Sequence, residues 1–233
     1  SLPYLGSGPE ASRLCFNKLT TKLWLEAASI PNTPYCFVAS MDDLSKAHNF
    51  FKEHGSVFVK ATNQGSSVGC YQSSSIDELT KNIKDAFNHS PYVIVEKDLK
   101  GARELEIAAF EFNGKLMLSE PGEIITPEGD FYSYEQKYSN EGQSQTVIKA
   151  EGLSTDLLDQ VKKYSSQAFR LLKLKDLARI DFFLTSYGEL LLNEINSFPG
   201  MTPISMFPKM LEASGVSFST FLQDRLSLVV KGD

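Results

Sequence analysis

The chain has 233 residues, 42% of them hydrophobic and 22% charged, which is enough apolar length for one or two packed domains. Its formal net charge of −6 argues against nucleic acid held on a broad basic face, and no apolar run approaches the length of a membrane span. The start, SLPYLGSGPEASRL, reads as neither a signal peptide nor a transit segment, and Cys15, Cys36 and Cys70 form no CxxC pair, so the sequence reads as a cytoplasmic protein with reduced thiols.

In chain order, an apolar period predicts one helix over roughly residues 10–28, ended by Pro31 and Pro34. YCFVA reads as a strand. In SMDDLSKAHNFFKEHG, Ser40 stands where an N-cap belongs, acids fill the first turn, and Gly55 lies past the end. VFVKA is a short buried strand, NQGSSVG a loop, SIDELTKNIKDAFNH a second capped helix, and YVIVEK a strand. ELEIAAFEF and KLMLSE flank Asn113-Gly114, a strong hairpin signal. Residues 127–145 are polar and rich in Gly, Ser and Gln, and so long a connection is usually mobile or functional. STDLLDQVKKYSSQAFRLL predicts a helix, followed by two strands and a last helix. The pattern is α+β with two subdomains, 1–95 and 96–233.

The two late strands carry the most chemistry. In ARIDFFLTSYGELLLNEIN, two apolar runs meet at Tyr187-Gly188, read as a two-residue turn. That turn pairs Asp181 with Glu194 and Arg179 with Asn196, and alternation puts all four on one face. Directly opposed side chains have Cβ atoms about 5 Å apart, and like charges so close are destabilising unless a proton or a cation lies between them. Asp, Glu and an Asn amide supply the oxygen ligands that a hard divalent cation requires, and Arg179 beside them suits a phosphate oxygen. The plainer alternative is a hairpin with one solvated face. Against it, the acids fall late in apolar runs beside a Pro-Gly turn rather than in regular alternation.

Two further stretches belong with this one. In VFVKATNQGSSVGC a strand delivers Lys60 and is followed by Gly65-Ser66-Ser67-Val68-Gly69, whose backbone N–H groups and hydroxyls suit phosphate, although the Lys-Ser/Thr of a Walker A loop is absent. In VIVEKDLKGARELE, Glu96 and Lys97 end a strand along which a base could lie, and Glu104 could accept ribose hydroxyls. Lys137 and Tyr138 sit in the long polar segment, where a lid would exclude water.

Taken in order, VFVKATNQGSSVG, VIVEKDLKGARELE, FYSYEQKY, ARIDFFL and NEINSFPGMTPISMFP resemble the ATP-grasp ligases, and among them the D-alanine–D-alanine ligases, from about Leu2 to the C-terminus. The resemblance implies an ATP-grasp fold, two α+β subdomains sandwiching the nucleotide. It implies joining of two D-alanines through D-alanyl phosphate, with ATP and two Mg²⁺ ions for which Mn²⁺ can substitute, in peptidoglycan precursor synthesis. Lys18 and Lys60 would contact ATP phosphates, and Ser66, Ser67, Val68 and Gly69 would cover the phosphates and the substrate. Glu96, Lys97 and Leu99 would hold adenine, and Glu104 the ribose. Lys137 would reach the γ-phosphate, and Tyr138 would position the first D-alanine. Asp181, Glu194 and Asn196 would carry the metal ions. Arg179 and the Gly200 amide would stabilise the tetrahedral transition state, and Ser205 would bind the second carboxylate. Tyrosine at 138 goes with D-alanine rather than D-lactate acceptors.

The resemblance also implies a homodimer with small-molecule substrates and neither nucleic acid nor membrane as partner. Relatives carry an N-terminal domain of roughly a hundred residues before a segment like PYLGSG at residues 3–8, so this chain by itself is expected to bind ATP but form little dipeptide. A relative joining other amino or hydroxy acids, or a nucleotide-binding domain without turnover, are the alternatives. The complete set Lys60, Lys137, Arg179, Asp181, Glu194 and Asn196 weighs against the second.

Overall fold

The computed structural model describes residues 3–125 and 145–231. Two helices open the chain, α1 (Pro9–Phe16) and α2 (Lys18–Ala27), where the apolar period predicts one. The break is Asn17, whose backbone is extended (φ −92°, ψ 106°) and whose side chain accepts from the Thr20 N–H to cap α2. Asparagine competes for the backbone in this way, and a hydrophobic period does not register it.

A four-stranded antiparallel sheet follows, built from β1 (Tyr35–Val38), β2 (Val57–Ala61), β3 (Cys70–Ser73) and β4 (Val93–Lys97) in the order β1-β4-β2-β3. Helices α3 (Leu44–His54) and α4 (Ile76–Ala86) lie on one face, where Ala47, Leu79, Ile83 and Ala86 pack against Val57, Val59, Val93 and Val95. Ser40 caps as the sequence predicts, but through a short 3₁₀ turn, Met41–Asp43, that precedes α3; Gly55 at φ 77° closes the helix. Because side chains alternate, the other face of this sheet carries Phe58, Lys60, Ile94 and Glu96.

The second sheet has six strands: β5 (Arg103–Phe112), β6 (Lys115–Leu118), β7 (Gly122–Ile125), β8 (Gln145–Val147), β9 (Leu177–Leu184) and β10 (Leu190–Asn196). The path is β10-β9-β5-β7-β8, with β6 paired to the distal half of β5. Asn113 and Gly114 both have positive φ, 51° and 72°, as the tight hairpin turn requires. One face packs Leu105, Ile107, Ile180 and Phe182 against α5 (Thr155–Leu171) and against Ala11, Cys15 and Leu25 of α1 and α2. On the other face, Ala108, Phe110 and Leu177 lie under α6 (Met206–Ala213) and α7 (Phe218–Lys231). Beyond α6 and α7 that face carries Glu104, Glu106, Arg179, Asp181, Glu194 and Asn196, with Phe183 and Leu191 beside them. Among the described residues no disulfide joins the three cysteines, and no helix is long and apolar enough to cross a membrane.

Candidate active site

The polar end of the large sheet is made by pairing. β10 sets Glu194 opposite Asp181 and Asn196 opposite Arg179, the rungs read from the sequence. The route to that register differs, however. The loop is three residues, Ser186 to Gly188: the Thr185 N–H donates to Glu189 C=O (2.9 Å), the Gly188 N–H to Thr185 C=O (2.9 Å), and Gly188 has φ 83°. The first rungs are accordingly one residue out, Leu190 with Leu184 and Leu192 with Phe182. A bulge at Asn193 then restores the expected rungs. Without it, Glu194 and Asn196 would turn toward the core in which Ile195 and Leu192 sit.

On this face the charges are already partnered. Arg179 donates from Nε and Nη2 to the two oxygens of Asp181, each at 2.8 Å. The Asn196 Nδ2 group donates to Asp181 Oδ2 (3.0 Å) and to Glu194 Oε1 (3.4 Å). The acid pair is therefore bridged by the amide and neutralised by the guanidinium, as opposed carboxylates require. Among the described residues no group of three or more His, Cys, Asp or Glu side chains converges on a metal position. The candidate set is two acids and an amide, all oxygen donors, which fits Mg²⁺ with water and phosphate completing its shell.

Glu106, which sequence reading passes over, lies opposite Asp181 on β5. It is 8% exposed; its Oε1 is 3.3 Å from Arg179 Nε, and its Oε2 is buried with no hydrogen-bond partner among the described residues. Burial first, then the Asp181 charge, push its pKa up to about 8 against the pull of Arg179. The alternation Glu104-Leu105-Glu106 in ARELEIAAF was the available signal.

The Gly65–Gly69 loop borders the same space through Gly65. Ser66 and Ser67 adopt left-handed backbone (φ 52° and 61°), and a Cβ on Gly69 (φ 65°) would lie 2.8 Å from the Ala61 Cβ, so only glycine fits there. Lys18 Nζ donates to Gln64 C=O at 2.5 Å. Lys18, Gln64, Gly65, Glu194, Asn196 and Phe198 line one cavity of about 510 Å³. A hollow of about 720 Å³ between the end of α2 and α3 contains none of the sequence-predicted residues.

Beside it, Glu96 is clamped by two lysines. Lys60 Nζ sits 2.5 Å from Oε2 and Lys22 Nζ 2.9 Å from Oε1, with Lys22 also donating to Thr33 C=O (3.0 Å) and Asn32 Oδ1 (3.2 Å). Burial alone would raise the carboxyl, but Lys22 and Lys60 outweigh it and hold Glu96 at about 2. For Lys60, burial favours the neutral amine, yet Glu96 and other charges, Glu194 among them, leave it raised. The cavity lined by Gln64, Gly65, Glu194 and Asn196 sets the loop after β2 against the polar end of the large sheet. Lys22 is 1% exposed; on sequence it passes for one more lysine of an amphipathic helix.

Glu104 shares the face of Glu106, while Lys97, exposed, donates its N–H to Pro34 C=O (2.9 Å), and Leu99 follows in the turn to β5. Gly200 and Ser205 are adjacent, since a Cβ on Gly200 would lie 2.8 Å from Ser205 Oγ. Ser205 Oγ pairs with Thr202 Oγ1 at 2.8 Å. Lys137 and Tyr138 lie outside the described residues.

Residues 24–227 match the family described as D-ala D-ala ligase C-terminus. A D-alanine–D-alanine ligase from Tolumonas auensis is 51% identical over 232 residues, covering 99% of this chain and 70% of that protein; one from Aeromonas hydrophila is 52% identical with 98% and 70% covered. The crystal structure of D-alanyl-alanine synthetase A from Vibrio cholerae superposes with a TM-score of 0.91 at 52% identity, covering 98% of this chain and 69% of that one. A D-Ala:D-Ser ligase from Enterococcus faecalis gives 0.82 at 26% identity, covering 97% and 64%.

Proposed function

The chain belongs to the D-alanine–D-alanine ligase family of ATP-dependent ligases with the ATP-grasp fold, and from that premise we propose how its own residues serve the reaction. One D-alanine carboxylate takes the γ-phosphoryl group of ATP, giving D-alanyl phosphate and ADP. The amine of a second D-alanine, deprotonated, attacks the acyl carbon; phosphate leaves and the dipeptide for peptidoglycan precursors forms. Both steps concentrate negative charge, so cations and preorganised donors are the main requirement.

The observation that carries this reading is the shared cavity, in which Glu194 and Asn196 meet Lys18 and the Gly65 end of the phosphate loop. Asp181, Glu194 and Asn196 would hold Mg²⁺, which supplies charge neutralisation at the phosphates when bound. Two ions, or Mn²⁺ in their place, suit the same donors. Lys18, Lys60 and the segment Ser66 to Gly69 bind and cover the phosphates. Glu96, kept ionised by two lysines, accepts from the adenine amine beside Lys97 and Leu99, and Glu104 accepts from the ribose. Arg179 and the Gly200 N–H face the developing oxyanion, and Ser205 holds the second carboxylate. Lys137 serves the γ-phosphate and Tyr138 the first D-alanine. In this reading residues 1–95 and 96–233 are the two subdomains flanking the nucleotide. The enzyme works in the cytoplasm as a homodimer on small molecules, with neither nucleic acid nor membrane as partner.

The test is phosphate release from ATP by this chain joined to the N-terminal domain that its relatives carry, with D-alanine, D-serine and D-lactate as acceptors. The reading predicts the highest kcat/KM with D-alanine. A preference for another acceptor would assign the chain to a different ligase, and no acceptor-dependent release with any of them would leave only nucleotide binding.

A further inference from the structure

Arg179 stands between two acids and is committed to one. Its Nε and Nη2 occupy both oxygens of Asp181, while Glu106, across the β5–β9 rungs, lies 3.3 Å from Nε and keeps a buried oxygen without a hydrogen-bond partner among the described residues. A buried carboxylate oxygen without a partner is costly and calls for an explanation. Asp181 has the complementary problem: as a metal ligand it must give up a bidentate guanidinium, and a freed guanidinium in a partly buried site is better satisfied by another anion.

We propose that Glu106 is the second seat of Arg179: when a divalent cation takes Asp181, the guanidinium turns from Asp181 to Glu106 and satisfies the orphaned oxygen. Glu106 is then a positioning residue that sets metal affinity without ligating the metal. The fork geometry of arginine makes the exchange a rotation between two carboxylates on one sheet face. This inference rests on the metal assignment made above.

The experiment is Mn²⁺ binding in the presence of ATP, read by electron paramagnetic resonance, with Asp181→Asn, Glu106→Gln, Arg179→Met and the double variant Glu106→Gln/Arg179→Met. Glu106→Gln should weaken Mn²⁺ roughly tenfold or more, the usual effect of losing a group that supports a ligand. Its metal-free melting temperature should not fall, because the Oε2 that the amide replaces has no hydrogen bond to lose, whereas a merely structural Glu106 would lower it. In the Arg179→Met background the same change should have no effect. Equal weakening in both backgrounds would mean that Glu106 acts by charge alone and would overturn the proposal. Should Arg179→Met not fold, the ¹⁵N resonance of Arg179 Nε–H decides. It should shift on adding Mg²⁺ and ATP to the wild type but not to Glu106→Gln, and an unmoved wild-type signal refutes the exchange. Unchanged Mn²⁺ binding in Asp181→Asn would instead remove the metal assignment itself.

Discussion

Replacing Lys22 by methionine isolates the buried charge cluster from everything else in the cleft. Lys22 is 1% exposed and its ammonium serves Glu96, Thr33 C=O and Asn32 Oδ1 at 2.9, 3.0 and 3.2 Å. Removing one partner of a buried ion pair typically costs about 3–5 kcal/mol, and because Lys60 still faces Glu96 the lower figure, about 3 kcal/mol, applies. For a chain of this length each kcal/mol moves the melting temperature by about 2–4 °C, so a fall of roughly 6–12 °C is expected in a calorimetric scan at neutral pH. Replacing the whole cluster, Lys22→Met with Glu96→Leu and Lys60→Met, should recover much of the loss, since an apolar substitute leaves no charge unpaired. Melting of Lys22→Met within about 2 °C of the wild type would refute the reasoning, because an ammonium so placed cannot be thermally silent if it neutralises Glu96.

Other consequences follow from the same geometry. The Glu96 carboxyl is depressed from 4.5 to about 2, so its contribution, about 3 kcal/mol, is fully present above pH 4.5 and is lost as pH falls toward 2; urea titrations across that window should show the loss in the wild type and little of it in Glu96→Gln. A Cβ on Gly69 would meet Ala61 at 2.8 Å in a left-handed position, so Gly69→Ala should cost about 1–3 kcal/mol and weaken ATP binding; an unaltered melt and nucleotide affinity would contradict this. Deleting Asn193 should rotate Glu194 and Asn196 into the core and expose Ile195, forfeiting about 1.5–3 kcal/mol of burial and adding a buried carboxylate. The deletion is expected to abolish cooperative unfolding by circular dichroism, and a normal melt with retained ATP affinity would argue against the bulge as the register device.

Most strand and helix positions could be read from the sequence because period and capping residues agree there, as at Ser75, Ser154 and Asn113-Gly114. The acid rung was also legible, but through two offsetting features: a loop one residue longer than expected and a bulge that cancels it. Hydrophobic alternation reports which face a residue takes, not how the chain reached that register. Glu106 and Lys22 escaped notice because their meaning is relational. A glutamate in an alternating strand and a lysine in an amphipathic helix look like solvated residues until β9 and β4 are set beside them. The left-handed Ser66 and Ser67 escaped for a different reason, since serine composition marks a loop without fixing its φ values.

The central claim is that Asp181 and Glu194 share one sheet face because a divalent cation is held there with the nucleotide. Calorimetric titration of Mg·ATP into wild-type protein and Glu194→Gln tests it most directly, since the amide keeps the shape and removes the charge. The account predicts that the substitution weakens Mg·ATP at least tenfold while leaving the metal-free melting temperature within about 2 °C. Equal affinity in the two proteins would contradict it.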